Sequence, residues 1–246
     1  MHGQRKARDL IGSLSGSLRT PPKIASKKAN RPTTNKPMID LPYKIVLGSQ
    51  SPRRRELLAG LDIPFEVRTM PDIDETPPEQ IDPHEVPRHL ACRKAQVYRE
   101  QLAPDELLIT ADTIVLTAEQ RILGKPHSPE EARDMLRSLS GTMHRVITGV
   151  ALLHPSGKGY SFSAESKVWF ASLSDEEIEY YLSHYKPYDK AGSYGIQEWI
   201  GYIGIARIEG SFYNVMGLPV HLVYKELSNW LQKEKELVPL HPDCIV

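Results

Sequence analysis

KIVLGSQSPRRRELLAG, residues 44–60, decides the fold class. The apolar run KIVLGS predicts a short buried strand, and SPRRRELLAG predicts a helix. Ser51 is a favourable N-cap for that helix, Pro52 suits its first position and Gly60 suits its end. A strand that turns tightly into a helix is the building unit of α/β proteins, so this stretch indicates an α/β fold.

The alternation of strands and helices continues after residue 60, without an internal repeat. HRVITGVALLH and YSFSAESKVWF predict adjacent antiparallel strands joined by a turn at residues 155–157. Residues 118–126 predict a hairpin or loop, and GSFYNVMGLP, residues 210–219, predicts a loop. We therefore expect an α/β protein with a mixed sheet. The predicted strands are residues 44–49, 65–70, 107–116, 144–154, 160–170 and 202–210, and the predicted helices are residues 51–60, 83–101, 128–139, 174–185 and 220–233.

Composition favours a globular enzyme with one large domain or two lobes. The 246 residues are 40% hydrophobic and 25% charged, which is enough apolar material for a core. No apolar run approaches the roughly 20 residues that span a bilayer, so we expect a soluble, cytoplasmic protein without a membrane partner. Cys92 and Cys244 lie far apart, which indicates neither a disulfide framework nor a zinc site.

The zero net charge hides a basic amino-terminal segment. Residues 1–40 contain nine Lys or Arg against two Asp, whereas the other 206 residues contain 22 Lys or Arg against 29 Asp or Glu. Such a segment cannot bury a core, and we expect a disordered leader, a domain over residues 41–235 and a tail over residues 236–246. A passive tail, or a true start at Met38, is favoured over a transit peptide or a nucleic-acid-binding arm, and nucleic acid is an unlikely partner.

The start of the first helix is a candidate anion site. Helix N-termini bind anions through free backbone N–H groups and the positive end of the helix dipole. Ser49, Ser51, Arg53 and Arg54 surround this end. Arginines in a first turn are unfavourable for the dipole, and a bound phosphate would explain them. A solvated charge run on an amphipathic helix is the alternative.

A carboxylate interrupts the apolar run LLITADTIVL. Asp112 is predicted to lie at the end of a buried strand, where α/β folds place ligands. It could ligate Mg²⁺ or accept a proton from water, and Asp74 and Glu75 in the acidic loop could complete a site for a hard cation. The alternative for Asp112 is a turn or helix cap, which Asp-Thr pairs commonly form.

Three lysines and one glutamine complete the set of candidate residues. Lys94, Lys125 and Lys190 could together neutralise a triphosphate, although each alone would be an ordinary surface lysine. Gln197 could read a base edge, because its amide both donates and accepts hydrogen bonds. The sequence has no Walker GxxxxGK[ST] motif and no evident Ser-His-Asp set, so P-loop hydrolysis and acyl transfer are poor candidates.

Eight ordered segments between Lys44 and Trp230 resemble the motifs of the Maf family of nucleotide pyrophosphatases. Any one segment would be a weak signal, but eight in order make a chance match implausible. The leader has no counterpart in the family pattern. The segments are GSQSPRRRELL, DIDET, RKA, ADTIV, GKP, LSGTMHRVITGVAL, DKAGSYGIQ and GSFYNVMGLP.

The resemblance implies a fold and a reaction. The fold is the Maf/inosine-triphosphatase type, an elongated mixed sheet with flanking helices and two lobes around a cleft. Members hydrolyse nucleoside triphosphates to the monophosphate and pyrophosphate with a divalent metal, Mg²⁺ or Mn²⁺. The combination of ADT and YGIQ resembles the subgroup that acts on dTTP and UTP, rather than the subgroup that acts on 7-methyl-GTP.

The resemblance also assigns roles to the candidate residues. Asp112 matches the proton acceptor that activates water. Two alternatives remain open: the same chemistry on modified or purine nucleotides, and a nucleotide-binding regulator of septum formation and cell division. A homodimer is plausible by resemblance alone. The expected substrate-choice residues are Arg53, Thr113 and Gln197, the expected metal ligands are Glu75 and Asp112, and the expected phosphate-binding residues are Ser49, Ser51, Arg54, Lys94, Lys125 and Lys190.

Overall fold

A computed structural model describes residues 39–70, 73–233 and 236–240 of the chain. Strands and helices alternate through these ranges, so the predicted α/β class is confirmed. The elements in chain order are β1 (Lys44–Gly48), α1 (Pro52–Ala59), β2 (Phe65–Arg68), α2 (Val86–Tyr98), β3 (Glu106–Leu116), β4 (Ile122–Leu123), α3 (Pro129–Leu139), β5 (Met143–Leu153), β6 (Lys158–Phe170), α4 (Asp175–Tyr185), α5 (Trp199–Gly204), β7 (Ile205–Glu209), α6 (Phe212–Met216), α7 (Val220–Ser228), α8 (Trp230–Lys233) and β8 (Val238–Pro239).

The strands form one mixed sheet, as predicted. Its order is β2-β1-β3-β5-β6-β7, with β4 paired to β3 and β8 paired to β6. β1 is parallel to both of its neighbours, β2 and β3. The pairs β3–β5, β5–β6 and β6–β7 are antiparallel. The parallel half therefore follows from the β1–α1–β2 unit, and the antiparallel half from the long hairpin of β5 and β6.

Two hydrophobic cores occupy opposite ends of the long central strands. One core contains Ile109 of β3 and Leu152 of β5, together with residues of β1, α1 and α7. The other contains Val115 of β3 and Val146 of β5, together with residues of α3, α4 and α5. The segment of β3 between Ile109 and Val115 connects the two cores.

Helix α2 packs on the face of the sheet opposite to α1. Its residues Ala91 and Ala95 are fully buried in a third cluster with Leu108 of β3. The helix begins very close to β5: a Cβ added to Gly149 would lie 2.2 Å from the backbone nitrogen of Arg88. Only glycine fits at this crossing, because the obstructing atoms are backbone. This close packing fixes α2, and with it Lys94, against β3.

The candidate carboxylate lies within a gap in strand pairing. β1 pairs with β3 only as far as Ile109, and β4 pairs with β3 from Val115. Between them, on that side of β3, the described residues provide no strand partner for residues 110–114. The strand predicted over residues 107–116 is confirmed by β3, but the prediction that Asp112 stands at a strand end was wrong, because Asp112 lies in the middle of β3. The gap arises because the neighbouring strand, β1, ends at Gly48.

Several predicted boundaries in the second half of the chain were wrong. The strand predicted over residues 202–210 begins at Ile205, because residues 199–204 form α5. The predicted loop at residues 210–219 contains α6, which begins after the N-cap Ser211. The predicted closing helix is interrupted at Asn229 and forms α7 and α8. In each case the helix is short and its apolar pattern is brief, so periodicity gives little signal.

Two boundaries in the first half also differ. The helix predicted over residues 83–101 begins at Val86, and Arg99–Gln101 forms a 3₁₀ turn. β2 ends at Arg68 instead of residue 70. By contrast, the predicted helices at residues 128–139 and 174–185 are confirmed, each with a serine N-cap.

The chain ends are described only in part. The predicted leader lies outside the described residues except for residues 39 and 40, and Ile39 is buried in the first core. The predicted tail contains β8, whereas residues 241–246 lie outside the described part. Across the described residues, no helix is both long and apolar enough to cross a membrane.

Candidate active site

The turn from β1 into α1 has the predicted capping geometry. The backbone N–H of Arg54 donates to Ser51 Oγ (3.4 Å), and the N–H of Ser51 donates to Ser49 Oγ (3.2 Å). Ser49 is buried, and Pro52 occupies the first position of the helix. The two serines thus use their side-chain oxygens to order the backbone at the helix N-terminus. The first turn of α1 has no acidic residue, which leaves this end electropositive.

Arg54 connects α1 to the gap in β3. Its Nε donates to the carbonyl of Gly217 (2.8 Å), its Nη1 to the carbonyl of Ala111 (2.7 Å) and its Nη2 to Thr113 Oγ1 (3.0 Å). Burial lowers the pKa of the Arg54 guanidinium below its usual value, and the negative charge of Asp112 opposes this shift. Three of the five N–H groups of Arg54 donate to other atoms of the protein. This predicted phosphate-binding residue therefore also holds α1 against β3.

Thr113 lies at the start of a hydrogen-bond chain that reaches α6. Its hydroxyl is 2.9 Å from the hydroxyl of Thr148 on β5, and Thr148 donates to the carbonyl of Asn214 (3.2 Å). Asn214 is fully buried and donates through Nδ2 to the carbonyl of Val146 (3.0 Å) and to Ser166 Oγ (3.0 Å). Thr148 and Asn214 were not predicted. They lie in the segments HRVITG and SFYNVMG. The sequence signal for them was that these segments belong to the ordered motifs.

Asp112 and Glu75 meet at one lysine. Lys94 Nζ lies 2.6 Å from Asp112 Oδ1 and 2.9 Å from Glu75 Oε1. The side chains of Lys94 and Asp112 are each 11% exposed. Burial opposes ionisation of Glu75, but the positive charges of Lys94, Lys125 and Arg54 outweigh it and hold the pKa of Glu75 below 4.5. The strand, the acidic loop and α2 therefore converge at one charged cluster.

The other predicted residues of the acidic and GKP loops lie at the edge of this cluster. Lys125 Nζ is 3.9 Å from Glu75 Oε2, and its side chain is 61% exposed. Asp74 does not join the cluster, because its carboxylate accepts hydrogen bonds from Arg93 and from the N–H of Thr76. The hard-cation set considered from the sequence thus reduces to Glu75 and Asp112.

The chemistry of these two carboxylates fits a divalent metal that is shared with a substrate. Mg²⁺ is commonly bound by one or two carboxylates together with substrate phosphates and water. The carboxylates of Glu75 and Asp112 both contact Lys94 Nζ, so they lie close to each other. Within the described ranges, no three or more His, Cys, Asp or Glu side chains converge to form a complete metal cage. The donor set therefore suits a metal that arrives with phosphate oxygens.

The loop DKAGSYGIQ brings two further predicted cations together through one carboxylate. Asp189 accepts from Arg53 Nη1 (2.8 Å, Oδ2) and from Lys190 Nζ (2.8 Å, Oδ1). Lys190 Nζ also lies 3.0 Å from Glu198 Oε1. The ion pair of Arg53 with Asp189 joins α1, which packs in the first core, to a loop whose residues pack in the second core. Asp189 and Glu198 were not predicted as site residues.

Gln197 lies in a tight turn next to this ion-pair network. Its Oε1 is buried and has no hydrogen-bond partner in the part of the chain that the structure describes. The described contacts do not connect its side chain directly to Asp112 or Thr113. Gly192, with φ of +67°, shapes the preceding loop, and its N–H donates to the carbonyl of Gly124 (3.0 Å) beside Lys125.

A comparison of this chain with known protein families agrees with the resemblance that the motifs indicated. The Maf-like protein family matches residues 44–230. The chain belongs to the Maf family. Among curated Maf relatives, the "dTTP/UTP pyrophosphatase" of Porphyromonas gingivalis is 62% identical over 190 residues, which cover 76% of this chain and 94% of that protein. The "dTTP/UTP pyrophosphatase" of Parabacteroides distasonis is 60% identical over 188 residues, with 76% and 96% covered.

Two solved structures that this Maf chain resembles are much less similar to it in sequence. The Staphylococcus aureus Ham1 protein is 14% identical, with a TM-score of 0.43, and the match covers 78% of this chain and 99% of that chain. A nucleoside-triphosphatase, dITP/XTP pyrophosphatase, from Mycobacterium abscessus is also 14% identical, with a TM-score of 0.40 over 78% of this chain and 97% of that chain. The family assignment rests on the sequence match.

Proposed function

We propose that this protein hydrolyses dTTP and UTP to the monophosphate and pyrophosphate, and so removes these nucleotides or their close analogues from the cellular pool. The observation that carries the proposal is the cluster of Asp112, Lys94 and Glu75 in the pairing gap of β3. Support comes from relatives of 62% and 60% identity that are named dTTP/UTP pyrophosphatases and that this chain matches over nearly their whole length.

The charges of the site suit a triphosphate. Lys94 and Lys190 are each held between two carboxylates. A triphosphate with its metal would exchange these internal partners for phosphate oxygens, with Lys125 adding an exposed charge at the edge. The N-terminus of α1, ordered by Ser49 and Ser51, would supply backbone N–H groups to another phosphate.

Asp112 is the proposed general base. Its Oδ1 contacts Lys94, and its Oδ2 would accept the proton of a water molecule that attacks the α-phosphorus. The new bond joins water oxygen to the α-phosphorus, the α–β phosphoanhydride bond breaks, and pyrophosphate leaves with the bonding electron pair. Lys94 and Lys125 stabilise the negative charge that develops on this leaving group. A divalent metal held by Glu75 and Asp112 would add positive charge at the phosphates.

Three residues are proposed to select the nucleotide. Thr113 has a fixed position, because Arg54 and Thr148 both hydrogen-bond to its hydroxyl. Arg53 lies on α1 and is held by Asp189 of the DKAGSYGIQ loop. Gln197 has an amide that can pair with a base edge, and its buried Oε1 has no partner among the described residues.

The test is a product assay with a panel of nucleotides. Purified protein is incubated with dTTP, UTP, CTP, GTP, ATP and 7-methyl-GTP, each with Mg²⁺ or Mn²⁺, and the release of pyrophosphate and of phosphate is measured separately. We expect pyrophosphate and monophosphate from dTTP and UTP, with slower turnover of the others. Release of phosphate instead of pyrophosphate, or equal turnover of all six, would contradict the proposal.

A further inference from the structure

A tight turn presents Gln197. The N–H of Glu198 donates to the carbonyl of Gly195 (2.9 Å), so Ile196 and Gln197 are the two central residues of a four-residue turn. The side chain of Glu198 folds back over this turn: a Cβ added to Gly195 would lie 2.8 Å from Glu198 Cδ. The turn and the carboxylate of Glu198 therefore form one packed unit.

One phenol holds both ends of this turn. The N–H of Gly195 donates to the hydroxyl oxygen of Tyr181 (3.0 Å), and the same hydroxyl donates its proton to Glu198 Oε2. Tyr181 lies on α4, is fully buried in the second core and stacks on Tyr185 with ring centroids 5.2 Å apart. Its hydroxyl is thus fixed by a packed ring on a regular helix, while the turn it holds belongs to a loop.

Through Glu198, the same hydroxyl also positions the cation of Lys190. Glu198 has two carboxylate oxygens: Oε2 accepts from Tyr181, and Oε1 lies 3.0 Å from Lys190 Nζ. The side chain of Lys190 is 9% exposed, so its position is set by these contacts. Loss of the Tyr181 hydroxyl would leave the N–H of Gly195 and Oε2 of Glu198, whose side chain is 19% exposed, without this partner, while Oε1 of Glu198 would keep Lys190.

Fixed orientation matters because a glutamine amide can pair with two kinds of pyrimidine. Uracil and thymine present an N–H donor beside a carbonyl acceptor, whereas cytosine presents a ring-nitrogen acceptor beside an amino donor. An amide turned by half a rotation satisfies the second pattern instead of the first, because its oxygen accepts and its nitrogen donates. An amide held in one orientation distinguishes the bases, and an amide that turns freely does not.

We propose that Tyr181 is a positioning residue for nucleotide selectivity. Its hydroxyl holds the turn of residues 195–198 so that Gln197 presents one orientation of its amide to the uracil or thymine base, and it holds Glu198 so that Lys190 faces the phosphates. This inference rests on the proposed function, because it takes Gln197 to contact the base of dTTP or UTP. It assigns a role in selectivity to a core tyrosine that touches no substrate.

The experiment compares Tyr181→Phe with a matched control, Tyr194→Phe. Tyr194 is also buried, and its hydroxyl hydrogen-bonds to His144 (2.7 Å), so each change removes one buried hydroxyl and keeps the ring. The kcat and KM values for UTP, dTTP and CTP are measured for wild type and both variants. Hydrogen exchange at the Gly195 amide is followed by NMR as a report on the turn that does not depend on activity.

In Tyr181→Phe we expect the ratio of kcat/KM for UTP to that for CTP to fall about tenfold, a change of about 1.4 kcal/mol. Exchange at the Gly195 amide should be faster, and the loss should lie more in KM than in kcat. Tyr194→Phe should keep the wild-type ratio and the wild-type exchange of Gly195. An unchanged ratio in Tyr181→Phe despite faster exchange would overturn the inference, as would an equal loss of selectivity in Tyr194→Phe.

A second variant covers the case in which Tyr181→Phe fails to fold. Glu198→Gln keeps the shape of the side chain and an oxygen that can accept from Tyr181, but it removes the charge that holds Lys190. We expect a higher KM for UTP and a smaller fall in the same ratio, and unchanged values of both would overturn the inference. Wild-type protein that releases no pyrophosphate from UTP, or that uses CTP equally well, would instead contradict the proposed function.

Discussion

Two regions of the molecule each hold a buried lysine between two carboxylates, but the residues stand on different kinds of structural element. Lys94 lies between Asp112 and Glu75, and Lys190 lies between Asp189 and Glu198, with nitrogen–oxygen distances of 2.6 to 3.0 Å in both. Both lysine side chains are about 10% exposed, at 11% and 9%.

The supports differ. Lys94 stands on α2, which Gly149 of β5 allows to pack closely on the sheet, and Asp112 stands on the central strand β3. Lys190 belongs to a loop and Glu198 to the turn before α5; the Tyr181 hydroxyl donates to Glu198, and Glu198 in turn contacts Lys190. A rigid support suits the chemical step, which needs fixed geometry. The loop support suits recognition, where small shifts change the choice of base. The first region should therefore control kcat, and the second should control KM and selectivity.

Apart from loss of the general base Asp112, the largest effect is expected from Lys94→Met. This change removes a buried positive charge that is proposed to stabilise the leaving pyrophosphate, so kcat should fall about 10²–10³-fold. The UTP to CTP preference should remain. The measurement is pyrophosphate release at saturating nucleotide, with Lys125→Met as the control. Because Lys125 is 61% exposed and lies 3.9 Å from Glu75, its loss should matter much less. Equal effects of the two changes would break the distinction between the buried and the exposed lysine.

The next effect is expected from Glu75→Gln. The amide keeps an oxygen but loses the negative charge, so the concentration of Mg²⁺ that gives half-maximal activity should rise about tenfold, or about 1.4 kcal/mol. Asp74→Asn is the matched control, because Asp74 lies next in the chain and its carboxylate pairs with Arg93 instead. A shift in the Mg²⁺ response of Asp74→Asn, with none in Glu75→Gln, would place the metal elsewhere in the acidic loop.

The smallest effect concerns the stability of the second region at acid pH. Burial opposes ionisation of Asp189, but Lys190 and Arg53 outweigh it and hold the pKa of this carboxyl below 3.8. A lowered pKa means that the ion pairs stabilise the protein above pH 3.8 and that this contribution is lost as the pH falls through the folded-state pKa. The side chain is 56% exposed, so the contribution should be below about 1 kcal/mol.

Asp189→Asn should therefore lower Tm slightly at pH 7 and progressively less as the pH approaches 3. Thermal unfolding at a series of pH values measures this difference. The control is Asp134→Asn on α3, where the side chain is 77% exposed. The Tm of this variant should stay close to the wild-type Tm at each pH. A difference for Asp189→Asn that grows toward low pH would contradict the sign of the pKa shift.

Much of the fold could be predicted from local sequence signals. The β1–α1 unit, the long hairpin of β5 and β6 and the capped helices α3 and α4 carry their own caps, turns and periodicity. Short elements such as α6 and β8 were missed, because five and two residues are too few for a periodic pattern.

The candidate site was predictable as a set of residues but not as a geometry. The motif ADT identified Asp112, yet its position in mid-strand depends on where β1 ends and where β4 begins. The pairing of Arg53 with Asp189 joins residues 136 positions apart, and no local pattern encodes such a contact. Thr148, Asn214 and Tyr181 are buried polar residues, and their importance appears only when their hydrogen-bond partners are known.

The most direct test of the central claim is turnover of UTP by Asp112→Asn, measured beside wild type together with Tm and nucleotide affinity. The amide keeps the shape of the side chain, and Lys94 keeps Glu75 as a partner. If Asp112 is the general base of the first region, kcat should fall about 10²–10⁴-fold while the protein folds and still binds UTP with a preference over CTP. A folded variant with kcat within a few-fold of wild type would contradict the account.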